Sequence, residues 1–222
     1  MRYKLAIFDL DGTLVDSFPW FASVLNDVAE RYRFKRVAPH EIETLRGLSA
    51  AQIARTLGVP AWKLPLIANH MRQLKRNALH RMRLFDGVDP MLRSLAAGDT
   101  RLAVVTSDTE QNARTALGPE LSRLISYFEC GASLFGKAAK FRKVLRASGC
   151  ARSDALCIGD EIRDLDAARA AGIAFGAVEW GYTRPDALLA LGPDVMFRKV
   201  GDIPERLCAA APGPLAPKPD SG

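Results

Sequence analysis

Histidine and cysteine are scarce in this chain, with three of the first and four of the second among 222 residues. The cysteines, Cys130, Cys150, Cys157 and Cys208, form no CxxC pair, and no histidine is spaced to complete a zinc site. Cys157 lies in the apolar run Ala155-Leu156-Cys157-Ile158 and reads as core packing. No apolar run reaches the length of about 18 residues that a transmembrane helix needs, and no internal repeat is present. Met1–Lys4 runs straight into Leu5-Ala6-Ile7-Phe8-Asp9, so an acidic residue arrives before a signal-peptide apolar region can form, and a cytoplasmic location is expected. What is present suits a globular protein: with 48% hydrophobic and 25% charged residues, there is enough apolar surface to offset chain entropy. The net charge of +6 favours anionic partners.

Short apolar runs alternate with helix-like segments, which predicts an α/β fold: a Rossmann-like parallel sheet covered by helices. Strands are predicted at Lys4–Phe8, Leu102–Val105, Ser126–Cys130, Leu156–Ile158 and Ala174–Val178, with Val195–Phe197 as an edge. Residues 9–101 separate the first two strands, far more than one crossover helix needs. Within that stretch Phe18, Phe21, Leu25, Val28 and Tyr32 recur at helical spacing, with Ser17 as the expected N-cap. Further helices are predicted at Pro39–Leu45, Ser49–Leu57 and Trp62–Met82. The division is therefore an α/β core over 1–16 and 84–211, an inserted all-helical unit over 17–83, and a proline-rich tail over 212–222 that is extended or disordered.

The first strand delivers Asp9-Leu10-Asp11-Gly12-Thr13. Residues i and i+2 of an extended chain project to one side, so Asp9 and Asp11 can share a crevice at the carboxyl edge of the sheet, where open α/β folds bind ligands. Gly12 allows a sharp turn there. Two close carboxylates repel unless a cation or a proton lies between them. A second acidic cluster, Gly159-Asp160-Glu161-Ile162-Arg163-Asp164-Leu165-Asp166, follows another strand and opens a helix that Gly172 ends. Asp164 and Asp166 can equally answer the helix dipole. Oxygen ligands on several strand ends suit Mg²⁺. Thr106-Ser107-Asp108 follows a third strand, with Ser107 and Glu110 spaced as a capping box or, functionally, with the Thr106 hydroxyl and the next backbone N–H groups holding an anion. Lys137 follows a fourth strand. Gly131-x4-Gly136-Lys137 also fits a phosphate loop, but Ala138 stands where the Mg²⁺-binding hydroxyl belongs, which argues against a nucleotide site.

Asp9-x-Asp11-Gly12-Thr13, Thr106, Lys137 and Gly159-Asp160-x3-Asp164, in this order and each at a strand end, resemble the haloacid dehalogenase superfamily over roughly residues 3–200. The helical insert resembles the subclass I cap of phosphoglycolate phosphatase-like members. The resemblance implies a Mg²⁺-dependent phosphatase acting on a small phosphate monoester, phosphoglycolate- or sugar-phosphate-like. It implies Asp9 as the nucleophile that becomes an aspartyl-phosphate, Asp11 as acid and base, Thr106 as a hydrogen-bond donor to the phosphoryl group, and Lys137 as its neutralising cation. It implies Mg²⁺ held by Asp9, the Asp11 carbonyl, Asp160 and Asp164. Glu161, Ala138 and Ser107 depart from the family pattern. Gly12, Thr13, Ser107, Arg46 and Gly47 are expected to line the substrate site, with Arg46 meeting a carboxylate or second phosphate.

Trp180 and Tyr182 either rim the entrance or pack. The basic stretch Arg72, Lys75, Arg76, His80, Arg81 and Arg83 reads as a solvated face of the helical unit. The expected partner is a small phosphorylated metabolite, with no membrane and no nucleic acid, and the chain is expected as a monomer or homodimer. A phosphomutase using the same aspartyl-phosphate, or a non-hydrolytic phospho-acceptor, are the alternatives.

Overall fold

Leu5, Ala6, Ile7 and Phe8 are wholly buried, and this continuous apolar run forms the centre of the sheet as β1 (Leu5–Phe8). The computed structural model describes residues 3–131 and 136–208, with Cys208 by its backbone alone. The expected proline-rich tail and the middle of the Gly131-x4-Gly136 stretch lie outside the described residues.

Around β1 run β4 (Arg101–Val105), β5 (Ile125–Glu129), β6 (Ala155–Gly159), β7 (Ala174–Val178) and β8 (Val195–Phe197), in the spatial order β5-β4-β1-β6-β7-β8 with every pairing parallel. This is a doubly wound sheet whose strand order reverses direction beside β1. Phe8 is level with Val104 on one side and Ile158 on the other, so Asp9, Thr106 and Asp160 leave the sheet at one edge.

Strand alternation splits the core between two faces. Ala6 and Phe8 pack with Val88, Leu92 and Leu95 of α5 (Val88–Ala97), with Ala113 and Leu117 of α6 (Glu110–Leu124), and with Ile203 of α10 (Asp202–Cys208). Leu5 and Ile7 pack with Phe141 and Val144 of α7 (Lys137–Ser148), Leu165 and Ala168 of α8 (Ile162–Ala171) and Leu188 of α9 (Pro185–Ala190).

Between residues 17 and 82 stand four α-helices: α1 (Phe18–Tyr32), α2 (Ile42–Arg46), α3 (Ala50–Thr56) and α4 (Leu64–Ala78). They carry a small core of their own around Val37, Leu45 and Leu57. A two-stranded antiparallel ribbon not expected from the sequence, β2 (Val15–Asp16) with β3 (Arg83–Leu84), marks where the chain leaves for these helices and returns. Two-residue strands carry too little periodicity to read.

Two expected caps are corrected. Ser17 precedes α1 but caps nothing with its side chain; its hydroxyl pairs with the Tyr182 hydroxyl at 3.1 Å. The helix after β4 is capped by Thr109, which accepts from the Asn112 N–H, and not by Ser107. Ser49, in contrast, forms a full capping box with Gln52 at the start of α3. Among the described residues no helix is long and apolar enough to cross a membrane.

Candidate active site

The loop after β1 doubles back at once. Val15 donates to the Leu10 carbonyl, and Gly12, at φ +78°, donates to the Val15 carbonyl. A Cβ on Gly12 would stand 2.2 Å from a carboxylate oxygen of Asp160, so only glycine permits this approach. Gly181 crowds the other side, where a Cβ would come within 2.1 Å of the Asp160 Cβ. Asp160 is thereby pinned, and its carboxylate accepts from the Thr13 hydroxyl at 2.7 Å and from the Tyr182 N–H at 2.8 Å.

Asp9, Asp160 and Asp164 are buried and place carboxylate oxygens within 4.8 Å of one another. Asp164 serves two masters. One oxygen accepts from the Glu161 N–H at 3.2 Å, closing the first turn of α8, and the other is paired with Lys137. Lys137 also reaches Asp9 at 2.9 Å. Burial alone would lower the Lys137 ammonium; Asp164 and Asp9 outweigh it and hold the ammonium above the ordinary lysine value. Burial raises Asp9, with Lys137 opposing and Asp164 adding to the rise. Burial, then Glu161, Asp9 and Asp164, push Asp160 well above the usual carboxylate range. The second oxygen of Asp9 is buried and has no hydrogen-bond partner among the described residues. Three crowded carboxylates with one such oxygen are the donor set of a hard divalent cation, so these residues fit Mg²⁺.

Asp11 sits apart from this trio. Both its oxygens accept from Lys75 of α4, at 2.6 and 2.7 Å, and Lys75 lies 2.6 Å from Asp108 as well. Lys75 is only 4% exposed, which corrects its place on a solvated basic face. Burial would lower it, but Asp11 and Asp108 together raise it above the ordinary lysine value. The rest of that basic stretch, Arg76, His80, Arg81 and Arg83, is exposed, with Arg72 half-buried. Spacing alone does not distinguish Lys75 from these neighbours.

The remaining expected residues fall around this cluster. Thr106 is buried, and its hydroxyl accepts from the Asp108 N–H at 3.1 Å. Lys140, one turn after Lys137, ties the carbonyls of Thr106 and Gly131 together, each at 2.7 Å. Ser107 lines the cavity beside Asp108. Arg46 donates to the carbonyls of Gly181 at 2.9 Å and Tyr182 at 3.0 Å, pairs with Glu43, and stacks over Phe18. Gly47 lies near the Arg184 guanidinium. Glu161 pairs with the half-buried Arg163. Trp180 packs against Phe85 and donates to the Thr13 carbonyl at 3.1 Å, whereas Tyr182 lies on the cavity wall. Asp166 is exposed.

Residues 6–178 match the family model described as haloacid dehalogenase-like hydrolase. The phosphoglycolate phosphatase of Synechococcus elongatus is 28% identical over 198 residues, which span 89% of this chain and 93% of that protein. Tyrosine-protein kinase PtkA of Mycobacterium tuberculosis is 34% identical over 199 residues, spanning 82% of this chain but 64% of the kinase. Among solved structures, a haloacid dehalogenase-like family hydrolase from Streptococcus pneumoniae shares the fold with a TM-score of 0.76 at 22% identity, covering 92% of this chain and 98% of the other.

Proposed function

The chain belongs to the haloacid dehalogenase-like hydrolase family, and we propose that it is a phosphatase that cleaves phosphate monoesters through an aspartyl-phosphate on Asp9. The observation that carries this reading is the pairing of a buried Asp9 with Lys137 at 2.9 Å while its other oxygen has no hydrogen-bond partner among the described residues. A carboxylate left with a free oxygen beside a fixed ammonium is a nucleophile next to the positive charge that its anionic target requires. Mg²⁺ held by Asp9, Asp160 and Asp164 would supply further positive charge against the phosphoryl oxygens.

In the first displacement the free Asp9 oxygen attacks phosphorus, the ester oxygen leaves, and protonated Asp11 gives that oxygen its proton. In the second, Asp11 takes a proton from water, and the hydroxide displaces Asp9 and releases phosphate. Lys137 stays beside Asp9 through both steps and offsets the charge gathered on the phosphoryl group. The Thr106 hydroxyl accepts from the Asp108 N–H and keeps its own proton to donate to a phosphoryl oxygen. Lys75 engages both oxygens of Asp11, so this ion pair must loosen before Asp11 can transfer a proton.

Release of inorganic phosphate from a panel of phosphate esters tests the reading. Turnover is expected with Mg²⁺ and not with excess chelator, and Asp9→Asn is expected to lower the rate by roughly 10⁴-fold or more. Unchanged turnover in Asp9→Asn would refute the assignment.

A further inference from the structure

The four helices between β2 and β3 line an open cavity of about 390 Å³ that also meets Asp11, Lys75 and Asp108. Its walls are hydrocarbon and aromatic: Phe18, Phe21 and Leu25 from α1, Ile53 from α3, and Ile67 and Met71 from α4. These side chains stay only half-buried, while those between the sheet and its helices are filled to near-zero exposure. Walls of this kind lack dispersion partners on the cavity side, and an apolar guest would supply them. Its volume lies within the roughly 300–1,000 Å³ range of small-molecule sites.

The cations on the wall do not suit a small acid. Arg46 is committed to the carbonyls of Gly181 and Tyr182 and to Glu43, Lys75 to Asp11 and Asp108, and Arg163 to Glu161. Arg72 alone is loosely held, by one hydrogen bond of 3.4 Å from its guanidinium to Asn69. A phosphoglycolate-sized substrate would leave most of the hollow empty.

We infer that the leaving group is apolar: the cavity inside the helices receives the hydrocarbon part of a phosphate monoester whose phosphoryl group sits at Asp9. This rests on the phosphatase reading. It replaces the small polar substrate expected from the sequence with an alkyl, isoprenyl or aryl phosphate.

The test is a series of n-alkyl phosphates from ethyl to octyl, held below their aggregation limits, run beside 1-naphthyl phosphate and phosphoglycolate with Mg²⁺. The value of kcat/KM is expected to climb by about fourfold per methylene until the cavity is full. An equal gain for naphthyl phosphate identifies aryl groups as accepted, and a gain confined to the alkyl arm identifies chains. Ile53→Trp, which fills the hollow, is expected to flatten the climb. The matching n-alkylphosphonates, which cannot be hydrolysed, are expected to raise the unfolding temperature of the wild-type protein in step with chain length.

No dependence on chain length in either measurement, or phosphoglycolate preferred over octyl phosphate with the preference lost in Arg72→Ala, would overturn the inference while leaving the phosphatase standing. Failure to release phosphate from any ester would sink the phosphatase reading instead, and the phosphonate shifts would still report on the cavity.

Discussion

One ammonium, that of Lys75, faces two carboxylates, the half-buried Asp11 at 2.6 Å and the buried Asp108 at 2.6 Å. Asp108 is 3% exposed and cannot turn to water for its charge. Removing the cation strands it, and breaking such a buried pair from one side costs about 3–5 kcal/mol. Lys75→Met is therefore expected to lose about that much in denaturant unfolding, and Lys75→Met/Asp108→Asn to regain most of it. Equal losses in the single and double variants would mean that the pairing with Asp108 contributes little. At this scale the sequence was legible where chemistry and position coincide. Asp9, Thr106, Lys137 and Asp160 each follow an apolar strand, so their convergence could be argued from topology. Lys75 could not be found this way, because it shares a helix with several exposed basic residues and only tertiary packing selects it.

Elements explain how the carboxylates are kept close. α8 begins where Asp164 folds back on the Glu161 N–H, so the turn that starts the helix also aims a carboxylate at Lys137. The sequence left capping and site chemistry as competing readings of Asp164, and in the structure the same side chain closes the first turn of α8 and pairs with Lys137. Gly12 and Gly181 press on Asp160 from two loops, and the contact with Gly181, distant in sequence, is not encoded in any local motif. Gly181→Ala forces a Cβ into the Asp160 side chain. The expected result is a loss of about 1–3 kcal/mol from overpacking. With Asp160 displaced, the Mg²⁺ concentration for half-maximal activity is expected to rise by about 10-fold or more. An unchanged metal requirement would show that Asp160 does not set metal affinity. The six strands of the parallel sheet were predicted to within a residue, the central ones as buried apolar runs, whereas the cap after β4 moved from Ser107 to Thr109 because both residues satisfy the same local rule.

For the whole molecule, the doubly wound sheet gathers its strand ends at the reversal beside β1, and the inserted helices close over that edge through polar contacts. Arg46 clamps the carbonyls of Gly181 and Tyr182, the Arg184 N–H donates to the Arg46 carbonyl at 2.9 Å, and Arg76 donates to Gln111 at 2.5 Å. Such contacts exchange readily with water, as in interfaces between units that move relative to each other. Hydrogen bonds from a charged donor contribute about 1.5–3 kcal/mol each, so Arg46→Ala is expected to speed hydrogen exchange at Tyr182 and Arg184 by about 10-fold or more. Exchange at the wild-type rate would show that Arg46 does not hold the two units together. The α/β class and the presence of a helical insert were readable from strand spacing alone. The hollow inside the insert was not, since periodicity shows which side chains face inward but not whether they meet.

Trapping the covalent enzyme tests the central claim most directly. Asp11→Asn, mixed with Mg²⁺ and an activated aryl phosphate and quenched in acid within a turnover, is predicted to carry one phosphoryl group on Asp9 by peptide mass spectrometry, because the base that would drive its hydrolysis is gone. A phosphoryl group on another residue, or full turnover in Asp9→Asn, would contradict the account.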